Sequence, residues 1–231
     1  MQRAIVKDFE AQYATEVNNT VKSCLDSAIK EATLFADTLI SYPGAKEAFF
    51  EQDRDKLDSF LQPIYSGWNL EHSVAQIQFI TPEADSFYRA HNPKQYGDNL
   101  SFRHGVNQVI KNKERIVVIE EGVAGFGIRC ITPLFEENNF MGLYEIGLSF
   151  EEEVGEGLAG LDYGDFYIRN YHNEDIVLWG TNTSPMSITY KDREELEKGE
   201  PFYRATDDNK YIISLIPIKG AEGNVIAYIQ S

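Results

Sequence analysis

The chain has 231 residues, with 21 Lys+Arg against 37 Asp+Glu and a formal net charge of −16; this length buries a substantial core as one large domain or two small ones. A 42% hydrophobic and 13% aromatic content excludes intrinsic disorder, and the negative excess disfavours nucleic-acid backbones and anionic lipid headgroups. Cys24 and Cys130 are too few for a disulfide scaffold and lack metal-site spacing, no apolar run approaches the ~20 residues that span a bilayer, and no signal peptide is visible at Met1.

From Ala4 to about Ser41 there is no Pro or Gly, and apolar residues recur every three or four positions from Ile5 through Phe9, Tyr13, Val17 and Val21 to Leu39. The spacing predicts one amphipathic helix, stopped by Pro43-Gly44. Helical character resumes over Ala45–Phe50 and from Arg54 towards Trp68, where Pro63 is expected to kink or interrupt the chain. Val74–Ile80 alternates as a strand, with Ala75, Ile77 and Phe79 on one face and Gln76 and Gln78 on the other. Ser86–Ala90 is a second strand, and Leu100–Asn112 a helix with Phe102, Val106, Val109 and Ile110 on one side. Three strands follow at Arg115–Glu121, Phe126–Phe135 and Met141–Phe150, turned by Gly122–Gly125 and Glu136–Asn139.

The remaining residues repeat that order in short form. A hairpin, Asp165–Tyr171 with Ile176–Gly180 across Asn173-Glu174, precedes a helical or loop stretch at Asp192–Lys198. Strands at Phe202–Ala205, Lys210–Lys219 and Asn224–Gln230 complete it. The tetrapeptide Phe-Tyr-Arg-Ala occurs at 87–90 and at 202–205, on non-equivalent strands, so the repeat is one of architecture. The expected fold is α+β, with a long N-terminal helix followed by two modules, each an antiparallel sheet with flanking helices.

No enzyme signature is present: the chain lacks a nucleophile elbow, a His-Glu-Xaa-Xaa-His zinc motif, a phosphate-binding glycine loop and GxGxxG. Asp53, Asp55 and Asp58 lack the loop glycine and final Glu of a calcium loop, and Cys24 and Cys130 read as thiols without a paired His. The reading is therefore of a protein that is not an enzyme and that has no cofactor and no metal.

Charge is uneven along the chain. Residues 1–80 hold 7 basic and 12 acidic groups, residues 81–131 hold 7 and 6, and residues 132–231 hold 7 and 19. The near-neutral middle contains Arg89, His91, Tyr96, Asp98 and Arg103 within a few turns of chain. Alternation puts Phe87, Arg89 and His91 on one strand face. Two arrangements satisfy this pattern. Arg89 and Arg103 can clamp a carboxylate or phosphate between their guanidinium forks. Alternatively, they pair with Asp98, Glu120 or Glu121 and hold the loop shut.

The string from Gln52 to Leu57, then Phe79, Phe87-Tyr-Arg89, His91-Asn-Pro93, Tyr96-Gly-Asp-Asn-Leu-Ser101 and Arg103, resembles the double Cache sensor domains. Glu121-Gly-Val-Ala-Gly-Phe-Gly-Ile-Arg129, Pro133 and Gly142-Leu-Tyr-Glu-Ile-Gly147 continue it. The resemblance implies two PAS-like Cache modules forming the extracytoplasmic, periplasmic part of a bacterial chemoreceptor or sensor kinase, anchored by flanking membrane helices outside this sequence. It divides the chain into a helical spine at 1–68, a membrane-distal module at 69–155 and a membrane-proximal module at 156–231. The spine would make a homodimer. The distal module would bind a small molecule through Phe79, Phe87, Arg89, His91, Tyr96, Asp98, Arg103, Glu121, Arg129 and Glu145, and the proximal module would relay the signal. The Tyr/Arg/Trp/Asp pattern of amino-acid-binding members is not found, so a small carboxylate or other anion suits the arginines better, with His91 contributing as imidazolium below pH ~6.5. The competing reading is a protein-docking ectodomain without a small ligand, using the acidic face of residues 132–231.

Overall fold

The structure, a computed structural model, describes residues 2–231 except 123–124, 163, 174–175 and 183, and the side chains of residues 7 onward. Contacts divide the chain into two units, one of Ala28–Phe150 and the other of Met1–Ser27 with Glu151–Ser231. Helix α1 (Gln2–Ser41) contributes residues to both. Its buried positions are Ala14, Val17 and Val21 in one unit and Ala28, Ala32, Ala36 and Leu39 in the other, again at steps of three or four. The buried stripe is thus set largely by alanines, while Phe9 of the expected apolar face is exposed.

In the Ala28–Phe150 unit, α2 (Pro43–Phe50) begins with proline in its first turn, where the missing N–H costs nothing. Asp53 caps α3 (Arg54–Glu71) by accepting from Lys56 N at 2.9 Å. The expected interruption at Pro63 does not occur, and α3 is a single helix. It is tethered on both sides of the proline. Leu57 and Leu61 are fully buried, Gln62 donates to Tyr88 Oη and Ala90 O, and Tyr65 and Asn69 donate to Ala75 O and Val74 O.

Strands β1 (Val74–Ile80) and β2 (Ser86–Arg89), helix α4 (His104–Asn112), and strands β3 (Ile116–Gly122), β4 (Gly125–Glu136) and β5 (Asn139–Ser149) follow. The sheet order is β2-β1-β5-β4-β3, antiparallel throughout. Helix α4 starts four residues later than expected, so Phe102 lies outside it and is exposed. Ala75 is exposed as well, while both faces of β1 are buried from Ile77 on.

One face of this sheet is largely apolar. Phe79 and Tyr144 stack at 5.9 Å, Ile77, Ile128, Cys130, Ile146 and Leu148 are buried, and Tyr144 Oη donates to Ala36 O of α1 at 3.0 Å. The opposite face lies under α4 and carries the candidate site.

The other unit contains α5 (Phe150–Ala159), β6 (Tyr167–Asn170), β7 (Val177–Gly180), α6 (Tyr190–Glu197), β8 (Phe202–Ala205), β9 (Ile212–Lys219) and β10 (Val225–Gln230). Glu151–Glu153 form the first turn of α5, where carboxylates suit the positive end of the helix dipole. The order β7-β6-β10-β9-β8 is that of the first sheet, shifted by five. The expected architectural repeat is present, and the two Phe-Tyr-Arg-Ala strands, β2 and β8, occupy opposite edges. A core of Tyr171, Leu196, Ile213, Leu215, Val225 and Tyr228 lies under α6, which opens with a Thr189–Asp192 capping box. Val123 and Ala124 of one expected turn and Glu174 of another lie outside the described residues.

Candidate functional site

Cross-strand partners share a sheet face, so the registers fix what lies beneath α4. Ile80 is opposite Leu143, while Ile116 is opposite Ile131. With Val106 and Val109 of α4 they form a closed apolar cluster. Two residues along the same strands the chemistry changes. Gln78 is opposite Glu145, and Gln76 is opposite Gly147, which in turn faces Arg129. Glu120 is opposite Gly127. The face is therefore aliphatic at one end and charged at the other.

At the charged end Glu145 is completely buried between two arginines. Arg129 Nη1 donates to its Oε1 at 2.7 Å, and Arg103 Nη1 lies 2.8 Å from its Oε2. Gln76 Nε2 also donates to Oε1. Arg103 Nε donates to Glu120 Oε1 at 3.0 Å, and Nη2 contacts the same oxygen. That oxygen lies 3.7 Å from Arg129 Nε. Arg103 is the N-cap residue of α4 and makes no side-chain cap bond, which leaves its side chain to reach the sheet.

Glycines make room for these groups. A Cβ on Gly122 would overlap Arg129 Nη2, and one on Gly127 would sit 3.3 Å from the same guanidinium. On Gly147 it would lie 2.6 Å from Gln76 Cγ.

Burial by itself would raise the Glu145 carboxyl, but Arg103 and Arg129 outweigh it and hold the group down at about 2. Burial likewise works against the Arg103 cation, and Glu145 and Glu120 more than restore it. Two guanidinium groups thus stand against two carboxylates, and the mutual attraction of Arg103 and Glu145 outweighs the cost of burying them.

The remaining candidates are distributed around this cluster. Arg89 lies opposite Gln78, on the same face, but its guanidinium forks onto Asp98 at 2.6 and 2.7 Å and donates to Gln95 O. It closes the loop from residue 90 to 98 and does not meet Arg103. Arg129 takes the place beside Arg103 instead. Tyr96 is exposed, with the Arg54 guanidinium 3.4 Å above its ring. Phe79 is on the opposite, apolar face against Phe49, which also packs edge-on to Phe87. Glu121 is exposed, one residue out of phase with the cluster.

His91 has a buried Nδ1 without a hydrogen-bond partner. Burial, reinforced by Arg89 and Arg129 against the pull of Glu145, pushes its pKa down to about 4. The expected imidazolium near pH 6.5 is therefore replaced by a neutral ring.

Gln76, Gln78 and Glu120 belong to this face and were not among the expected ligand-binding residues; Glu120 was expected only as a counter-ion of the arginines, the pairing it makes with Arg103. Period-two counting from Ile116 and Val118 selects Glu120 over Glu121. Among the described residues, no group of three or more His, Cys, Asp or Glu is placed to hold a metal ion, and no helix is long and apolar enough to cross a membrane.

The sensor domain of the Vibrio cholerae histidine kinase DctB superposes with a TM-score of 0.58 at 10% identity, covering 100% of this chain and 98% of that one. The periplasmic domain of Vibrio cholerae LuxQ gives 0.52 at 12% identity, covering 96% and 98%. An extracellular ligand binding receptor from Desulfohalobium retbaense DSM5692 gives 0.52 at 11% identity, and this chain spans 39% of its length. Identities this low establish the fold alone. A comparison with curated proteins found no significant match. The family described as the double sensory domain of two-component sensor kinases matches residues 9–159, more than half of the chain, which therefore belongs to the double Cache sensory domains (dCache_3).

Proposed function

We propose that this chain is the extracytoplasmic sensing region of a membrane-anchored receptor, and that its Ala28–Phe150 unit binds a small carboxylate at Arg103 and Arg129. One observation carries the reading. Two buried guanidinium groups lie on a glycine floor, and only one of their two counter-carboxylates is fully enclosed. Glu145 has no exposed side-chain surface, whereas Glu120 retains 12% and sits on β3, an edge strand. A ligand carboxylate can replace Glu120 on Arg103 while Glu145 stays in place. That exchange would shift the population between two arrangements of β3 and α4, which is the event a receptor transmits. Arg89, Asp98 and Tyr96 form the loop beside this entrance, and His91 lines it as a neutral ring. Signal relay by the other unit, dimerisation through α1 and membrane anchoring belong to the same proposal.

The test is a melting-temperature screen with small organic acids on the wild type, Arg103→Ala, Arg129→Ala and Glu120→Gln. A saturable rise is expected in the wild type, lost in both arginine variants and about tenfold more sensitive to ligand in Glu120→Gln. No shift in either the wild type or Glu120→Gln overturns the assignment. The docking reading has one observation in its favour, that the two arginines are already occupied by the protein's own carboxylates. A flat screen together with capture of a partner by the acidic face would establish it.

A further inference from the structure

In the Ala28–Phe150 unit the charged cluster lies where β1 begins, β5 ends and β4 begins, at Gln76, Gly147 and Arg129. The corresponding strand ends of the other unit are the start of β6, the end of β10 and the start of β9. Among the described residues, no cluster of paired arginines and glutamates fills that position. Instead a cavity of about 450 Å³ opens there, beside Tyr167, Gln230 and Ile213, within the ~300–1,000 Å³ usual for small-molecule sites.

Four aromatic side chains line this cavity, beside Met186, Ile212 and Ile213. Helix α1 supplies Phe9 and Tyr13, β6 supplies Tyr167, and the turn before β9 supplies Tyr211. The floor is polar; Ser231 Oγ is buried there without a hydrogen-bond partner, whereas Gln230 is already satisfied. Gln230 Oε1 accepts from Arg169 Nη1 at 3.1 Å, and its Nε2 donates to Met186 O at 3.0 Å. Arg169, the buried cation of this sheet, lies outside the lining.

Two charged residues border the cavity. Lys210 is paired with Asp208 at 3.1 Å. Asp165 accepts one hydrogen bond, from Thr181 Oγ1 at 3.2 Å. The unit as a whole carries 20 acidic against 10 basic side chains, a field that attracts cations and repels anions. Aromatic faces around one carboxylate in a negative field are what an alkylammonium group recognises.

We propose that this cavity is a second ligand site, independent of the acid site, and that it binds a small organic cation, a quaternary ammonium or protonated amine. Tyr13, Tyr167 and Tyr211 enclose the alkylammonium head and Asp165 supplies the countercharge.

The experiment is isothermal titration of the 231-residue chain with choline, with tetramethylammonium and with 3,3-dimethyl-1-butanol, the uncharged isostere of choline. Saturable binding of choline is expected, with the isostere weaker by about tenfold or more. Tyr211→Leu and Asp165→Asn should each weaken choline by about tenfold. Tyr203→Leu, an exposed tyrosine outside the cavity, should leave it unchanged, and circular dichroism verifies the fold of each variant. Three results would overturn the proposal: no saturable heat with either cation at millimolar concentration, equal affinity for the isostere, or undiminished choline binding in both Tyr211→Leu and Asp165→Asn. The outcome is separable from that of the organic-acid screen, because the two sites lie in different units and share no residue.

Discussion

Replacing Glu145 by Gln keeps the shape of a fully buried side chain and removes its charge from between two guanidinium groups at 2.7 and 2.8 Å. Two routes give the size of the effect. Holding a carboxyl at about 2 against an ordinary 4.5, at about 1.4 kcal/mol per pH unit, amounts to about 3 kcal/mol. Breaking one partner out of a buried ion pair costs about 3–5 kcal/mol, since the remaining charge has no water to turn to. We expect Glu145→Gln to lose about 3 kcal/mol in urea unfolding at pH 7, at unchanged m-value. The pH dependence follows from the sign of the displacement. A carboxyl with a depressed folded-state pKa stabilises fully above its unfolded value of 4.5, and that stabilisation is lost as pH falls towards 2. The gap between wild type and variant should therefore be widest above 4.5 and close on acidification. A loss below about 1 kcal/mol at pH 7, or a gap that does not change with pH, would refute the ionised cluster.

His91 titrates in the opposite sense. Its ring stays neutral in the fold down to about 4 while the unfolded chain binds a proton near 6.5, so stability falls as pH drops through that window. His91→Gln should flatten this part of the profile, by on the order of 2 kcal/mol once partial exposure is allowed for; superimposable profiles would contradict it. Gly122→Ala places a methyl group on Arg129 Nη2 and should lose about 1–3 kcal/mol in urea unfolding together with any carboxylate-induced melting shift. Unchanged stability and response would show that the arginine does not need that floor.

The strands were legible because alternation and Gly/Asn turns are local signals. The order of the elements and the architectural repeat followed from them. Helix α3 passed through Pro63 because Leu57, Leu61, Gln62 and Asn69 anchor it on both sides, a tertiary effect that outweighs a local breaker. Alternation put Arg89 on the sheet face it occupies, opposite Gln78, yet its guanidinium reaches nine residues ahead to Asp98. The meeting of Arg103 with Arg129 depends on the register of β4 against β5, which one sequence does not encode in any local pattern. Glu120 was recoverable, since it continues the phase of Ile116 and Val118 and Glu121 does not.

The repeat sharpens the question of why this face is charged at all. In both units the half of the sheet beneath the helix is closed by aliphatic and aromatic side chains, and in neither does that packing extend to the strand ends. One unit fills the remainder with Arg103, Arg129, Glu120 and Glu145, and the other leaves a cavity lined by tyrosines. Stability does not require the first solution, because aliphatic residues of similar volume are commonly as stable as a buried ion cluster, or more so. An ion cluster differs from an aliphatic core in one respect that matters to a receptor. On the proposed reading a ligand carboxylate takes the place of Glu120 on Arg103, exchanging one ion pair for another while Glu120, on the edge strand β3, turns to water. Under that proposal the two arrangements lie close in free energy. A ligand of modest differential affinity suffices to move the population between them, whereas a core held by dispersion alone would have to open before anything could enter.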